Sequence, residues 1–321
     1  MVTGVGAIIG YGILRELKKP GNDHFLVGAD IYSDAVGQAW CDSFEQAPYT
    51  SAPEYLDWLK KIIKKYQIEL MFLGIEQDLY FLINHVQEIE QLGCKLAINN
   101  SALVNLTKDK WLVYEALSKK NDSALIPTLL NGEYEEIIKS YGLPFLLKPR
   151  SGYASKGIVK VKEKADFERN KEALGHHLMI QPIVGTDDEE YTVSVFGDGK
   201  GEFKALIAMR RTLANDGSTA KALIVQPDNA LVGTLKRLCS YFNPIGPTNF
   251  QFRKAGEHWF LLEINPRTSS TTSMRAAFGY SEPQMCIDFY LNNKAPKQPQ
   301  IKGGFAARYI EDHIIYDGTY F

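Results

Sequence analysis

The residues best equipped for chemistry lie between 248 and 273, in "TNFQFRKAGEHWFLLEINPRTSSTTS". Side chains alternate across a strand. On "FLLEINPR", Glu263 and Asn265 therefore share one face, and Leu262 and Ile264 the other. In "NFQFR", Gln251 points away from Phe250 and Phe252. A short turn near Gly256 would close a hairpin and bring Gln251 beside Glu263. Carboxylate and amide oxygens are the donors that hard Mg²⁺ prefers. Arg267 adds a fork-shaped cation suited to phosphate or carboxylate. Taken alone, a surface hairpin with one polar face would account for the same letters.

Other segments narrow the choice. In "LPFLLKPRSGYASKGI", Lys148 ends an apolar strand, followed by Ser151, Gly152, Ala154, Ser155 and Gly157. Small residues let backbone N–H groups approach and fold over phosphate oxygens, and a neighbouring lysine supplies a point charge. An ordinary hairpin turn explains the glycines but not a lysine ending an apolar run. Lys110 in "TKDKWLVY" sits in the first turn of a predicted helix, where a cation is mildly unfavourable unless an anion is near. Lysines are also common on helix surfaces. In "MIQPIVGTDDEEYTVSV", the amide or backbone of Gln181 and Val184 could face an adenine and Glu190 a ribose. An acidic loop at a strand start is the alternative. "AMRR" leaves Arg210 and Arg211 at a strand end, where one of them could reach phosphate.

These side chains need elements to hold them. Residues 1 to about 100 alternate strand and helix signals: "GVGAIIGYG", "ILRELKK", "FLVGADI", "PEYLDWLKKIIKKY", "IELMFLG", "DLYFLINHVQEIEQL" and "CKLAI". Such βα repetition predicts a parallel sheet covered on both faces. Beyond a linker at about Asn99 to Asn105 the pattern becomes α+β with antiparallel strands. There "TKDKWLVYEALSKK" reads as a helix with Thr107 as N-cap and Asp109 in its first turn. Gly4, Gly6 and Gly10, with Asp30 after them, resemble a dinucleotide fingerprint in the wrong spacing. Close packing of the first helix, or another small ligand at the strand ends, are the competing readings.

The 321 residues imply two or three substructures, and 45% apolar content supports a sizeable core. A net charge of −2, with Lys and Arg dispersed, gives no electrostatic reason to expect nucleic acid or a membrane as partner. Cys41, Cys94, Cys239 and Cys286 are scattered, as expected of reduced thiols in a cytoplasmic protein. No apolar run reaches membrane-spanning length, and no signal peptide is evident. "MVTGVG" leaves little room for a first strand, so a few residues could be missing there.

Taken in order, these segments resemble the ATP-grasp superfamily, and most of all its carbamoyl-phosphate-synthase-like branch. The resemblance covers nearly the whole chain. It implies a Rossmann-like preATP-grasp domain at 1–104, a grasp subdomain with a lid loop at 105–180, and a second subdomain with the metal site at 181–321. By the resemblance, Lys110 and Lys148 hold ATP phosphates, with residues Ser151 to Gly157, including Gly152 and Ser155, closing over them. Arg211 is assigned with this cofactor-binding set. Gln181 to Val184 becomes the adenine hinge and Glu190 the ribose acid. Gln251, Glu263 and Asn265 become ligands for one or two Mg²⁺, which Mn²⁺ could replace, and Arg267 and Lys148 act on the transferred phosphate. Gln251, where many relatives have Glu, points to the synthase branch, whereas Gln181 stands where an acid is usual. The chain is too short for a complete two-unit synthase subunit and ends soon after the ligand strands, so a C-terminal piece could be absent.

The implied activity is that of an ATP-dependent ligase, which activates a carboxylate as an acyl phosphate for attack by an amine or other nucleophile. Its partners would be small molecules, with a homodimer as one assembly. In-line phosphoryl transfer needs positioning and charge neutralisation, which this residue set offers without a nucleophilic Ser or Cys. The rivals are a non-catalytic ATP-binding module and an NAD-dependent oxidoreductase. "RTSSTTSMRAAFGY" would line the acceptor side or cap the next helix. Its Arg275 reads equally as a carboxylate holder or a surface residue.

Overall fold

Short apolar runs between helices build the first layer of the computed structural model, which describes residues 1–152 and 156–314. Strands β1 (Val2–Thr3), β2 (Val27–Asp30) and β3 (Ser43–Gln46) pair in parallel, as do β4 (Leu70–Met71) and β5 (Lys95–Leu96). A parallel bridge between Val2 and Phe72 joins the two groups in the order β3-β2-β1-β4-β5. Helix α1 (Ile8–Leu17) contributes Ile9 and Ile13 to one face. On the other face pack α2 (Tyr55–Tyr66), α3 (Glu76–Leu82) and α4 (Val86–Glu90), with Leu59, Leu79 and Ile89 in the core. The expected two-sided parallel sheet is therefore present. The sequence reading passed over β3, whose "SFEQ" is a half-exposed edge strand, and joined α3 and α4 into one helix.

The glycine turn serves close packing. A Cβ on Gly10 would lie 2.2 Å from the Gly4 carbonyl oxygen, and one on Gly74 would lie 2.2 Å from that of Thr3. Only glycine lets α1 and the β4 loop approach β1 so nearly.

Helix α5 (Ser101–Thr107), capped by Asn100, occupies most of the stretch expected as a linker, and α6 (Lys110–Ser118) follows it. Asp109, not Thr107, caps α6: its carboxylate accepts from the Trp111 N–H at 2.8 Å, while Thr107 ends α5 and bonds back to the Leu103 carbonyl. A small antiparallel sheet orders β7 (Val159–Val161), β6 (Phe145–Pro149) and β8 (Leu178–Pro182). Helices α7 (Tyr134–Tyr141) and α8 (Lys164–Glu168) cover it through Ile137 and Phe167.

The largest sheet is antiparallel. It comprises β9 (Glu190–Asp198), β10 (Phe203–Leu213), β11 (Thr219–Val225), β12 (Ile245–Ala255), β13 (His258–Asn265) and β14 (Phe305–Ala307). Their order is β13-β12-β9-β10-β11-β14. Helix α9 (Asn229–Phe242) covers one face through Leu231, Leu235 and Leu238. Helices α10 (Thr272–Ala277) and α11 (Glu282–Tyr290) link the other face to α1, in one core that joins Ile13, Phe196, Met209, Met274 and Cys286. No helix among the described residues is long and apolar enough to cross a membrane.

Candidate active site

The β12–β13 hairpin has the register that alternation requires: Gln251 lies opposite Glu263, and Asn249 opposite Asn265. One detail departs from simple alternation. Phe252 pairs with Leu261, so Leu262 is an extra residue on β13. A bulge of this kind lets consecutive residues face the same way. Leu261 and Ile264 enter the core, while Leu262 and Glu263 both line the cleft. Leu262 therefore does not share the Ile264 face, as alternation alone had it. The bulge also leaves the Leu262 carbonyl free to accept from Lys148 Nζ at 3.0 Å.

Lys148 reaches that carbonyl from β6, where Phe145 and Leu147 enter the core and Leu146 and Lys148 face the cleft. Burial pushes its ammonium down to about 8, opposed by the Glu263 carboxylate and aided by Lys110. Lys110 is the first residue of α6, and its Nζ donates to the Gly152 carbonyl at 2.9 Å and lies 3.2 Å from Glu263 Oε1. An acid thus answers the misplaced cation at this helix start.

Across the cleft, Glu190 is 5% exposed and carries two guanidinium groups. Arg211 Nη2 donates to Glu190 Oε1 and to Gln251 Oε1, each at 2.8 Å. Arg253 Nη2 donates to Glu190 Oε2 at 2.6 Å. Arg210 points outward, 3.8 Å from Glu189, so of the adjacent pair it is Arg211 that enters the cleft. Gln181 donates to Thr128 Oγ1 at 2.8 Å and lines the cleft with Val184, Ser151 and Gly152.

Three predicted residues stand off this lining. Asn265 Nδ2 meets Glu263 Oε2 at 3.4 Å, one step behind it. Arg267 meets Asn265 Oδ1 at 3.4 Å and donates from Nε to Glu76 Oε1 at 3.1 Å. Gly157 borders a neighbouring hollow with Arg150 and His177. Ser155 lies outside the described residues. Arg275 is no surface residue: it is fully buried, 2.9 Å from Glu282, and also donates to Thr192 and Asn249.

The sequence reading missed Arg253, Lys156, Leu262 and Glu76. Alternation could have found Arg253, two residues beyond Gln251 on the same strand, and Lys156 sits inside the small-residue loop already singled out. Nothing local announces Glu76, 191 residues from Arg267. Among the described residues, five cations line the cleft (Lys110, Lys148, Lys156, Arg211 and Arg253) against two carboxylates, Glu190 and Glu263. That excess suits a polyanion. One carboxylate flanked by amide oxygens is too sparse for a protein-only cation cage. It fits Mg²⁺, which keeps waters and takes further oxygens from phosphates. No cluster of three or more His, Cys, Asp or Glu able to hold a metal occurs among the described residues.

Residues 176–313 match the family model described as ATP-grasp in the biosynthetic pathway with Ter operon, and residues 9–97 match that of the PylC-like N-terminal domain. Residues 176–313 therefore carry an ATP-grasp domain. Solved structures share the ATP-grasp fold over almost the chain's full length. N5-carboxyaminoimidazole synthetase from Staphylococcus aureus aligns at a TM-score of 0.72 and 15% identity, covering 94% of this chain and 78% of its own. Biotin carboxylase from Campylobacter jejuni, in a β,γ-ATP complex, aligns at 0.71 and 17%, covering 95% and 73%. The biotin carboxylase domain dimer of Hydrogenobacter thermophilus 2-oxoglutarate carboxylase, with MgADP, ADP and bicarbonate, aligns at 0.67 and 15%, covering 95% and 72%. No curated protein sequence matches the chain.

Proposed function

We propose that this ATP-grasp chain is an ATP- and Mg²⁺-dependent ligase that converts a carboxylate to an acyl phosphate for attack by an amine or other nucleophile. The observation that carries the reading is the convergence of Lys110, Lys148, Arg211, Gln251 and Glu263 on one cleft from α6 and from two separate sheets. Lys110 and Lys148 would grip the phosphates, with Ser151, Gly152, Ser155 and Gly157 as the covering loop. Gln181 and Val184 would border the base and Glu190 the ribose. Gln251, Glu263 and Asn265 would hold Mg²⁺, which supplies charge neutralisation between phosphate oxygens when bound. Gln251 in that set supports a carbamoyl-phosphate-synthase-like metal site.

The residues' own work is electrostatic. Lys148, held by the Leu262 carbonyl, and Arg267, held by Glu76, present fixed positive charge to phosphoryl oxygens. A substrate carboxylate oxygen attacks the γ-phosphorus, the bond to the β-phosphate oxygen breaks, and ADP leaves. The nucleophile then adds to the acyl carbon and phosphate departs. The nucleotide complexes of the two carboxylase neighbours, and the bicarbonate bound in one of them, support this class of chemistry.

The test is a screen of carboxylates with amines for ATP-dependent phosphate release. Any active acid is then labelled with ¹⁸O in its carboxylate. One labelled oxygen should appear in the released phosphate. Unlabelled phosphate, or MgADP binding without turnover on any acid, would refute the ligase reading. With an active acid, Glu263→Gln should lower kcat/KM by about a hundredfold or more, the scale of losing one charge-stabilising group. Wild-type turnover in that variant would remove Glu263 from the site.

A further inference from the structure

A second crevice, of about 790 Å³, opens at the carboxyl ends of the parallel strands and is bordered by Gly4 and Gly6. The ligase reading makes no use of it. Its walls carry six aromatic side chains: Tyr32, Tyr49, Tyr55, Trp58, Tyr80 and Phe81. Its charged lining residues, among those described, are two acids, Asp30 and Asp78. Asp30 is satisfied locally by the Gly6 N–H at 2.7 Å and the Tyr32 N–H at 3.1 Å. Asp78 differs. It is 2% exposed, and Oδ1 accepts from Thr50 Oγ1 at 2.6 Å and from Tyr55 O–H at 2.9 Å. No lysine, arginine or histidine forms an ion pair with it among the described residues. Thr3, 3% exposed, also lines the crevice, with its hydroxyl directed toward Asp78. Lys108, the one lysine over any of these rings among the described residues, lies on Tyr80 and donates to Asn105, outside the lining.

A buried carboxylate without a cationic partner is costly. Aromatic faces are the other group that attracts a cation, most strongly where water is excluded. The two occur together here. We propose that this crevice binds an organic cation: an ammonium group directed at Asp78, carried on an apolar or aromatic body that packs on the rings. The same surroundings oppose a dinucleotide, whose diphosphate would meet two acids and no cation. The site stands whether or not the ligase reading does.

The test is calorimetric titration of the full chain with phenethylammonium, and with 2-phenylethanol and phenylacetate as neutral and anionic isosteres. Phenethylammonium should bind saturably, and both isosteres at least about tenfold more weakly, the scale of one hydrogen bond to a charged group. Asp78→Asn should lose the same factor while MgADP binding is retained. Glu263→Gln, in the other cleft, should leave phenethylammonium affinity unchanged. If Asp78→Asn does not fold, Trp58→Leu replaces it and should weaken the cation more than the alcohol. Equal binding of cation and alcohol, undiminished binding in these variants, or no binding of phenethylammonium at millimolar concentration would each overturn the proposal.

Discussion

Lys148 illustrates how much one residue's surroundings decide. Its ordinary value of 10.5 falls to about 8 because burial disfavours the ammonium more than Glu263 restores it. Bound polyphosphate would reverse the balance. MgADP binding at pH 8.5 should therefore take up protons, read by calorimetry in buffers of different ionisation enthalpy, and affinity should fall between pH 7 and 9.5. Lys148→Met should bind at least about tenfold more weakly at pH 7 and show no such uptake. Without ligand the sign runs the other way. The unfolded chain binds more protons at this residue between about 8 and 10.5, so its contribution to stability rises through that window. Wild type should gain melting temperature relative to Lys148→Met from pH 8 to 10, and parallel profiles would refute the perturbed lysine. The position of Lys148 was legible because a lysine ending an apolar strand is hard to explain otherwise. Glu263 and Gln251 were legible because a two-residue period fixes a face. The second guanidinium on Glu190 was legible in principle, since Arg253 shares the Gln251 face.

At the scale of elements, periodicity located most strands and helices, but not β3, α5, α7, α10 or β14, nor the irregularities that shape the site. The extra residue at Leu262 leaves no mark in composition, yet it supplies the carbonyl that holds Lys148. The start of α6 was misplaced by two residues because Thr107 and Asp109 are both competent caps, and the choice between them rests on α5. The Ser/Thr-rich segment gave no hint that Arg275 docks α10 beneath the largest sheet. There it pairs with Glu282 on α11, and Glu282 also bonds Ser194. Both ions are fully buried, so deleting one strands the other. Arg275→Met should cost about 3–5 kcal/mol in urea unfolding, whereas Arg275→Met combined with Glu282→Leu should recover much of that loss. A single variant that unfolds like wild type would refute the claim that this pair locks α10 and α11 together.

Across the whole molecule, two of the contacts between the parallel and antiparallel layers do different work. The shared core from Ile13 to Met209 and Cys286 is apolar and extensive and contributes no residue to the cleft lining, so it carries the energy of association. The Glu76–Arg267 pair is partly exposed, with side chains 23% and 16% accessible, and contributes little to stability by comparison. Its position gives it another role. Glu76 opens α3, and its carboxylate fixes the guanidinium that the ligase reading places beside the transferred phosphate. Glu76→Gln should therefore leave the urea midpoint nearly unchanged. It should lower kcat by about tenfold to a hundredfold, the cost of misplacing a group by roughly an ångström, with KM for ATP unaltered. Arg267→Lys, which keeps the charge but loses the fork, should show the same split, and combining the two changes should add little because both act through one guanidinium. If Glu76→Gln instead raised KM at constant kcat, Arg267 would be a ground-state binding residue. If it lowered the urea midpoint with turnover intact, the pair would be a structural strut and Arg267 would not act on the phosphate.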